Sequence, residues 1–211
     1  MRDDRDKRFS SALRQLVQGE FGMQPLSVDE LAKLSQHYSL LCAWNQRINL
    51  TRITEPEESA RMHYAESLFG KAFVGDSKKV LDIGSGAGFP GVPLAVVCPA
   101  LRVTALEVNQ KKSLFLKETK DALHLSNFYV STARVEDFPI EDHDLLASRA
   151  LDRSGQLLPA VIDRMVSGQS AMLYTTAQVL EALIARLPHH YVVEAHPIPS
   201  SDTRLIAMIR R

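Results

Sequence analysis

The 211-residue chain predicts an α/β fold: a seven-stranded, mainly parallel sheet of Rossmann-like type, preceded by an N-terminal helical extension. Three observations carry that prediction. Seven strand-like runs occur beyond Lys79, with helix-like segments between the first six. The first run ends in a glycine-rich turn. The last two runs are joined without a long helix. Alternation of strand and helix implies crossover connections and a parallel sheet covered on both faces. The missing final helix implies an antiparallel terminal hairpin.

The elements follow in order. Residues 1–75 read as helical and form the extension; residues 76–211 form the sheet domain. In Ser27-Val-Asp-Glu30 the serine can cap a helix while the glutamate reaches back to it. Leu31, Leu34, Tyr38 and Leu41 then share one face at helical spacing. Thr54-Glu-Pro-Glu57 gives a second start signal, with Pro56 acceptable in a first turn. The helix after it carries Met62, His63, Ala65, Ser67 and Leu68. Between these helices, Trp44 to Thr51 reads as a connection anchored by the only tryptophan. The strand runs are Val80–Ile83, Arg102–Glu107, Phe128–Ser131, Asp144–Ser148, Ala171–Tyr174, Tyr191–Glu194 and Leu205–Ile209. The clearest helix runs are Val92–Cys98, Gln110–Leu123, Gly155–Val166 and Ala177–Leu187. Residues 195–204 hold two prolines and a Ser-Ser-Asp turn, which suits a hairpin.

Composition narrows the class. With 45% hydrophobic and 24% charged residues the chain is expected to be a soluble globular protein. No apolar run approaches the ~20 residues of a membrane span, so no membrane partner is expected. The charged start Met1-Arg-Asp-Asp-Arg-Asp-Lys-Arg8 lacks a hydrophobic signal core, which points to a cytoplasmic location. Cys42 and Cys98 lie in apolar helical contexts and read as reduced thiols. No metal site is expected. Lys and Arg total 25, matching 25 Asp and Glu, so a nucleic-acid partner would need a local basic patch.

The chemistry gathers at predicted strand ends, where open α/β sheets bind ligands. In Val80-Leu-Asp-Ile-Gly-Ser-Gly-Ala-Gly-Phe-Pro-Gly91 a strand feeds a tight glycine turn and then a helix N-terminus. Asp82, two residues before Gly84, is unlike an apolar dinucleotide turn and suits a ligand with an amino group. Glu107 lies roughly 20 residues beyond the loop, where an acid can hold two ribose hydroxyls; it can equally be an exposed strand-end acid. Gly86 to Gly91 also satisfies the G-x-G-x-x-G dinucleotide string, but it begins after the strand has ended. The Asp-x-Gly-x-Gly-x-Gly frame from Asp82 to Gly88 fits the strand better and looks like motif I of the S-adenosylmethionine-dependent methyltransferases.

A narrower resemblance rests on four strings in order: Trp44-Asn-Gln-Arg-Ile-Asn-Leu-Thr51, His63-Tyr-Ala-Glu-Ser-Leu68, Asp82 to Leu94, and Ser148-Arg-Ala150. Together they resemble the glucose-inhibited division protein B family, from about residue 20 to the end. The family methylates guanine N7 in a decoding-region loop of bacterial 16S ribosomal RNA. The resemblance implies S-adenosyl-L-methionine as cofactor and 16S ribosomal RNA, or the small ribosomal subunit, as partner; a monomer is expected. It implies that Gly84, Gly86, Gly88 and Phe89 line the cofactor with Asp82, that Glu107 takes the ribose, and that Val135 and Glu136 hold the adenine. Arg149 would sit beside the methyl group and the incoming base as a positioning residue, with no obligatory acid–base group. Lys111, Lys112 and Arg134 would contact RNA, although Lys111, Lys112, Lys117 and Lys120 also suit a solvated helix face.

One place departs from the family pattern. The family commonly carries lysine-glycine at the end of the fifth strand, where this chain reads Tyr174-Thr175-Thr176. An NAD-dependent oxidoreductase, supported by the overlapping glycine string, and a non-catalytic RNA-binding module that keeps the cofactor fold are the competing readings.

Overall fold

The computed structural model describes residues 2–149, 157–188 and 190–211. Seven strands form one sheet in the order β3-β2-β1-β4-β5-β7-β6. The strands are β1 Lys79–Ile83, β2 Arg102–Leu106, β3 Phe128–Ser131, β4 Leu145–Arg149, β5 Ser170–Thr176, β6 Val192–Pro197 and β7 Arg204–Arg210. Strands β1 to β5 pair in parallel, and β7 pairs antiparallel to both β5 and β6. Both the parallel body and the terminal hairpin are as the sequence predicts. The fourth strand starts one residue later than expected, at Leu145, and the Asp144 carboxylate beside it accepts the Lys78 and Lys79 N–H groups at 2.7 and 2.8 Å.

The helices are α1 Arg2–Gln18, α2 Val28–Asn45, α3 Pro56–Ser59, α4 Glu66–Phe69, α5 Gly91–Val97, α6 Gln110–Ala122, α7 Leu157–Asp163 and α8 Ala177–Ile184. The expected Gly155 start of the helix at α7, and Ala150 of the fourth string, lie outside the described residues. Ser27 caps α2 through a complete capping box with Glu30. The second start signal works differently. Glu55, without a side-chain cap bond, precedes Pro56, and the Thr54 carbonyl accepts the Tyr38 hydroxyl at 2.7 Å.

Between α3 and α4, residues Ala60–Ala65 form a π-helical turn. This wider turn shifts the backbone register, so some carbonyls need partners from outside the helix. No periodicity in the sequence announces it.

Two apolar layers cover the sheet. One face presents Val80, Val103, Ala105, Phe128, Leu145 and Ala147 to α2, α5, α6 and the helices before Gly75. The other presents Leu81, Ile83, Leu106, Leu146 and Leu173 to residues of α7 and α8. Residues 1–75 and the sheet therefore share a core, and the change at residue 75 is one of secondary structure. Its centre is an aromatic knot: Phe9 stacks on Tyr38 at 4.3 Å and meets Tyr64 edge-on at 4.7 Å. Such pairs contribute ~0.5–1.5 kcal/mol beyond area burial. Cys42 and Cys98 are free thiols.

Candidate functional site

The cleft forms where β1, β2 and β4 end. Gly84, Gly86 and Gly88 all take positive φ, at 70°, 59° and 90°. That left-handed region is open to glycine at low cost. The turn packs so tightly that a Cβ at Gly88 would lie 2.6 Å from Val92 Cγ2. At Gly91 a Cβ would lie 2.5 Å from Asp82 Oδ2. Backbone alone fits these two positions.

Two buried acids brace the turn from below. Asp82 Oδ2 accepts the Ser85 hydroxyl at 2.6 Å and the Gly91 N–H at 3.0 Å. Its Oδ1 is buried without a hydrogen-bond partner. Burial pushes the Asp82 carboxyl up to about 7, and the Glu107 charge adds to that, against the pull of Ser85 and Gly91. Glu107 directly follows β2 and is 7% exposed. Its Oε2 accepts the Gly86 N–H at 2.9 Å and its Oε1 the Asn109 N–H at 2.8 Å. Each oxygen retains a lone-pair direction, as a pair of ribose hydroxyls requires.

Other expected residues are placed differently. Phe89 leaves the turn and enters the helical layer, 6% exposed. Its ring stacks on His63 at 4.8 Å and meets Tyr64 and His37 edge-on. Val135 packs in the opposite core layer, while its neighbours Glu136 and Arg134 are exposed beyond β3. The lysines of α6 divide. Lys111 and Lys112 begin the helix at the cleft end, their N–H groups capped by Asn109. Lys120 lies about two and a half turns further on, reaching Tyr129 at the opposite end of the strands. Lys120 is thus apart from the Lys111–Lys112 pair.

Arg149 ends β4 and is bound by the helical extension. Its guanidinium donates to the carbonyls of Met62 and His63, in the π turn, and to Ser67 Oγ. It also lies 3.4 Å from the Glu66 carboxylate. Glu66 is 1% exposed and is met from the other side by Arg204 of β7 at 2.7 Å. Burial raises the Glu66 carboxyl above its usual range, against the pull of Arg149 and Arg204. Two guanidinium groups on one carboxylate leave this three-residue cluster with a net positive charge. Tyr174, the cross-strand neighbour of Arg149, donates to the Ser67 carbonyl at 2.9 Å. That approach needs Gly70, since a Cβ there would lie 1.9 Å from the Tyr174 hydroxyl.

Sequence reasoning did not find Glu66 as the partner of Arg149, nor Arg204 as the second cation on Glu66. Arg204 pairs with Thr176 in the β5–β7 ladder, directly beside Thr175. Thr176 itself caps α8 through Val179 N. A basic group is therefore present near the position where a lysine was expected, but it comes from another strand.

The Asn49-Leu50-Thr51 segment is held close to this cleft. Asn45 accepts the Leu50 and Thr51 N–H groups at 2.8 and 2.9 Å and donates to the Thr51 carbonyl. The Thr51 hydroxyl meets His63 Nε2 at 2.8 Å. Trp44 anchors the segment by packing edge-on against Phe115. Burial, Arg149 and His37 hold the His63 imidazole down at about 3, so it is neutral at ordinary pH.

Among the described residues no group of three His, Cys, Asp or Glu could hold a metal ion, and no helix is long and apolar enough to cross a membrane.

The chain is similar to known proteins in sequence and fold. Residues 30–197 match the family model described as rRNA small subunit methyltransferase G, GidB. A ribosomal RNA small subunit methyltransferase G from Xylella fastidiosa (strain 9a5c) is 37% identical over 183 residues, covering 85% of each chain. The protein of that name from Solibacter usitatus is 35% identical over 190 residues, covering 85% of this chain and 90% of its own. Among solved structures, cofactor-bound Rv0187 from MTB superposes with a TM-score of 0.64 at 16% identity, covering 85% of this chain and 89% of its own. A ribosomal protein L11 methylase from Lactobacillus delbrueckii subsp. bulgaricus gives 0.55 at 11% identity, covering 78% and 97%. These structural likenesses speak for the fold, and the sequence matches for descent. The chain belongs to the rRNA small subunit methyltransferase G (GidB) family.

Proposed function

We propose that this chain transfers the methyl group of S-adenosylmethionine to N7 of a guanine in 16S ribosomal RNA, in the cleft between the glycine turn and Arg149. The observation that carries the reading is the Gly84–Gly91 turn braced by Asp82 and Glu107, in a chain of this family. As a family member the chain is an S-adenosylmethionine-dependent methyltransferase.

The residues present fit that cofactor. A backbone-lined turn admits close approach, the unpartnered Asp82 Oδ1 leaves an open hydrogen-bonding site beneath it, and Glu107 offers two acceptor oxygens. S-adenosylmethionine supplies an electrophilic methyl carbon on a sulfonium. In this reading Gly84, Gly86 and Gly88 take its polar end, Glu107 the ribose hydroxyls and Glu136 the rim of the adenine site. Val135 and Phe89 act from behind, by fixing the turn and the strand end.

Guanine N7 carries an in-plane lone pair and no proton, so attack needs no general base. Catalysis then rests on alignment, which is worth up to roughly 7–11 kcal/mol in favourable cases. Arg149, fixed by four groups of the helical extension, keeps a rigid positive edge against the cleft. Arg204 provides the further positive charge that Thr175 does not. Lys111, Lys112 and Arg134 stand on the rim for RNA phosphates. His63, neutral and stacked on Phe89, supports the wall; His63→Ala should retain methyl transfer once fold and cofactor affinity are matched.

The test is a pair of measurements. Calorimetric titration should show binding of S-adenosylmethionine and not of NAD. Small subunits lacking the modification should then accept a labelled methyl group. Binding of NAD in place of S-adenosylmethionine, or RNA binding without methyl incorporation, would replace this reading by a dehydrogenase or a non-catalytic RNA binder.

A further inference from the structure

The face of the sheet beside its free edge is uncovered at the end away from the cleft. β3 is an edge strand, and its crossover to β4 contains two 3-10 turns, Val135–Asp137 and Ile140–Asp142, in place of a covering helix. The result is a groove of about 330 Å³ that runs from the starts of β1 and β2 along β3 to Ser131. That is the small end of ligand-sized clefts.

Strand register determines what lines it. Lys79 is paired with Arg102, and Thr104 with Tyr129, so all four share one face at the free edge. The Arg102 guanidinium lies 4.1 Å from the Tyr129 ring centroid. Lys120 reaches round the edge strand to within 5.1 Å of the same ring. Phe138 and His143 close the far wall, and His143 Nε2 faces the Thr104 hydroxyl at 3.4 Å. Asp142 is the acid that lines the groove. The Asp144 carboxylate nearby is already engaged by backbone N–H groups of Lys78 and Lys79. Lys78, Lys79 and Arg102 are exposed, with Lys120 half-buried.

We propose that this groove is a second RNA contact, taking one nucleotide of the substrate ribosomal RNA at the end of the sheet opposite the methyl-transfer cleft. Cations interleaved with aromatic rings and hydroxyls form the combination that holds an unpaired nucleotide: phosphate on Lys79, base between Phe138 and the Arg102 guanidinium plane that the Tyr129 ring supports. An apolar protein partner would not call for the basic side chains, and an acidic one would leave the ring pair without purpose. Its basic end, at Lys79 and Arg102, lies about 15 Å from the cleft, one strand length. RNA that spans both points would gain affinity without any group entering the reaction. The sequence, with zero net charge, offers local patches in place of a bulk field. This inference rests on the ribosomal RNA substrate proposed above.

The experiment measures binding to small subunits and to deproteinised 16S RNA by filter retention across a salt series. The variants are Lys79→Glu/Arg102→Glu, Tyr129→Ala and, as a charge control on the outer face of α1, Arg14→Glu. The double variant should weaken RNA binding about tenfold and lower the slope against log salt by ~0.7 per lost phosphate contact. S-adenosylmethionine affinity and kcat at saturating subunits should stay at the wild-type level. Tyr129→Ala should weaken binding several-fold with the salt slope unchanged. RNA binding and slope unaltered in the double variant, or altered equally by Arg14→Glu, would overturn the proposal. Because binding is read directly, wild-type protein that binds RNA through this groove but transfers no methyl would sink the function proposed above and leave this inference standing.

Discussion

The two walls of the cleft are built in opposite ways. The glycine-turn wall is local: Asp82, Ser85, Gly86, Gly91 and Glu107 satisfy one another within 26 residues of chain. The Arg149 wall is assembled from remote pieces, joining β4 to a π turn more than 80 residues earlier and to β7 through Glu66. A local wall can form its geometry with the first crossover unit. The other requires the helical extension to be docked before it exists. The difference separates cofactor binding from assembly of the reaction site, and mutations on each side should respond differently.

The largest effect is expected at Arg149. Arg149→Ala would strand a buried carboxylate beside one remaining arginine and take a donor from the Met62 and His63 carbonyls, of which His63 keeps the Ser67 hydroxyl. Losing one partner of a buried pair costs ~3–5 kcal/mol. Melting temperature and methyl transfer should both fall steeply, and Arg149→Lys should recover little, since one ammonium cannot serve the forked set of acceptors. If Arg149→Ala lowered cofactor affinity alone and left stability intact, the remote wall would not be a structural assembly.

The local wall should break without unfolding. Gly88→Ala and Gly91→Ala place a methyl against Val92 or Asp82 at distances real contacts do not show. The strain of a non-glycine residue in such a turn is ~1–3 kcal/mol, so S-adenosylmethionine affinity should drop about tenfold or more, read by calorimetry. Glu107→Gln keeps the shape but turns one acceptor into a donor facing an N–H group. A loss of cofactor affinity at nearly constant melting temperature is expected there.

The smallest effect concerns pH. His63 and His37 are each held at about 3, mainly by burial, below the 6.5 of the unfolded chain. Their contribution to stability is therefore complete above pH 6.5 and lost as pH falls toward 3, because the unfolded chain takes up protons that the folded one refuses. Asp82 works the other way: raised to about 7, it favours the fold below pH 3.8 and loses that contribution as pH rises through 7. Melting curves should therefore show the His37→Gln variant less sensitive to acid than wild type, and Asp82→Asn less sensitive between pH 4 and 7. A Tm that shifts with pH identically in wild type and His37→Gln would contradict the neutral burial of that ring.

The same contrast explains what was legible in the sequence. All seven strands and the turn at Gly84 to Gly88 are written locally, in apolar runs and in glycines at fixed spacing. Asp82 and Glu107 were legible because their positions follow from strand ends. Arg149 was visible as a string, but its partners were not, since the π turn carries no periodic signal and Arg204 arrives from the last strand. The packing of Phe89 into the helical layer was not legible, because spacing cannot say on which side of the turn a ring falls. Lys120 was grouped with Lys111 and Lys112 by proximity along the chain, although a helix of 13 residues carries its two ends to opposite ends of the sheet.

The central claim is that the two walls together present a guanine N7 to the cofactor methyl. Small subunits from a strain lacking this gene, incubated with the protein and labelled S-adenosylmethionine, test it most directly once the modified nucleoside is isolated and mapped. The expected result is label on N7 of one guanine in 16S RNA, abolished in Arg149→Ala; label on any other atom, or on ribosomal protein, would contradict it.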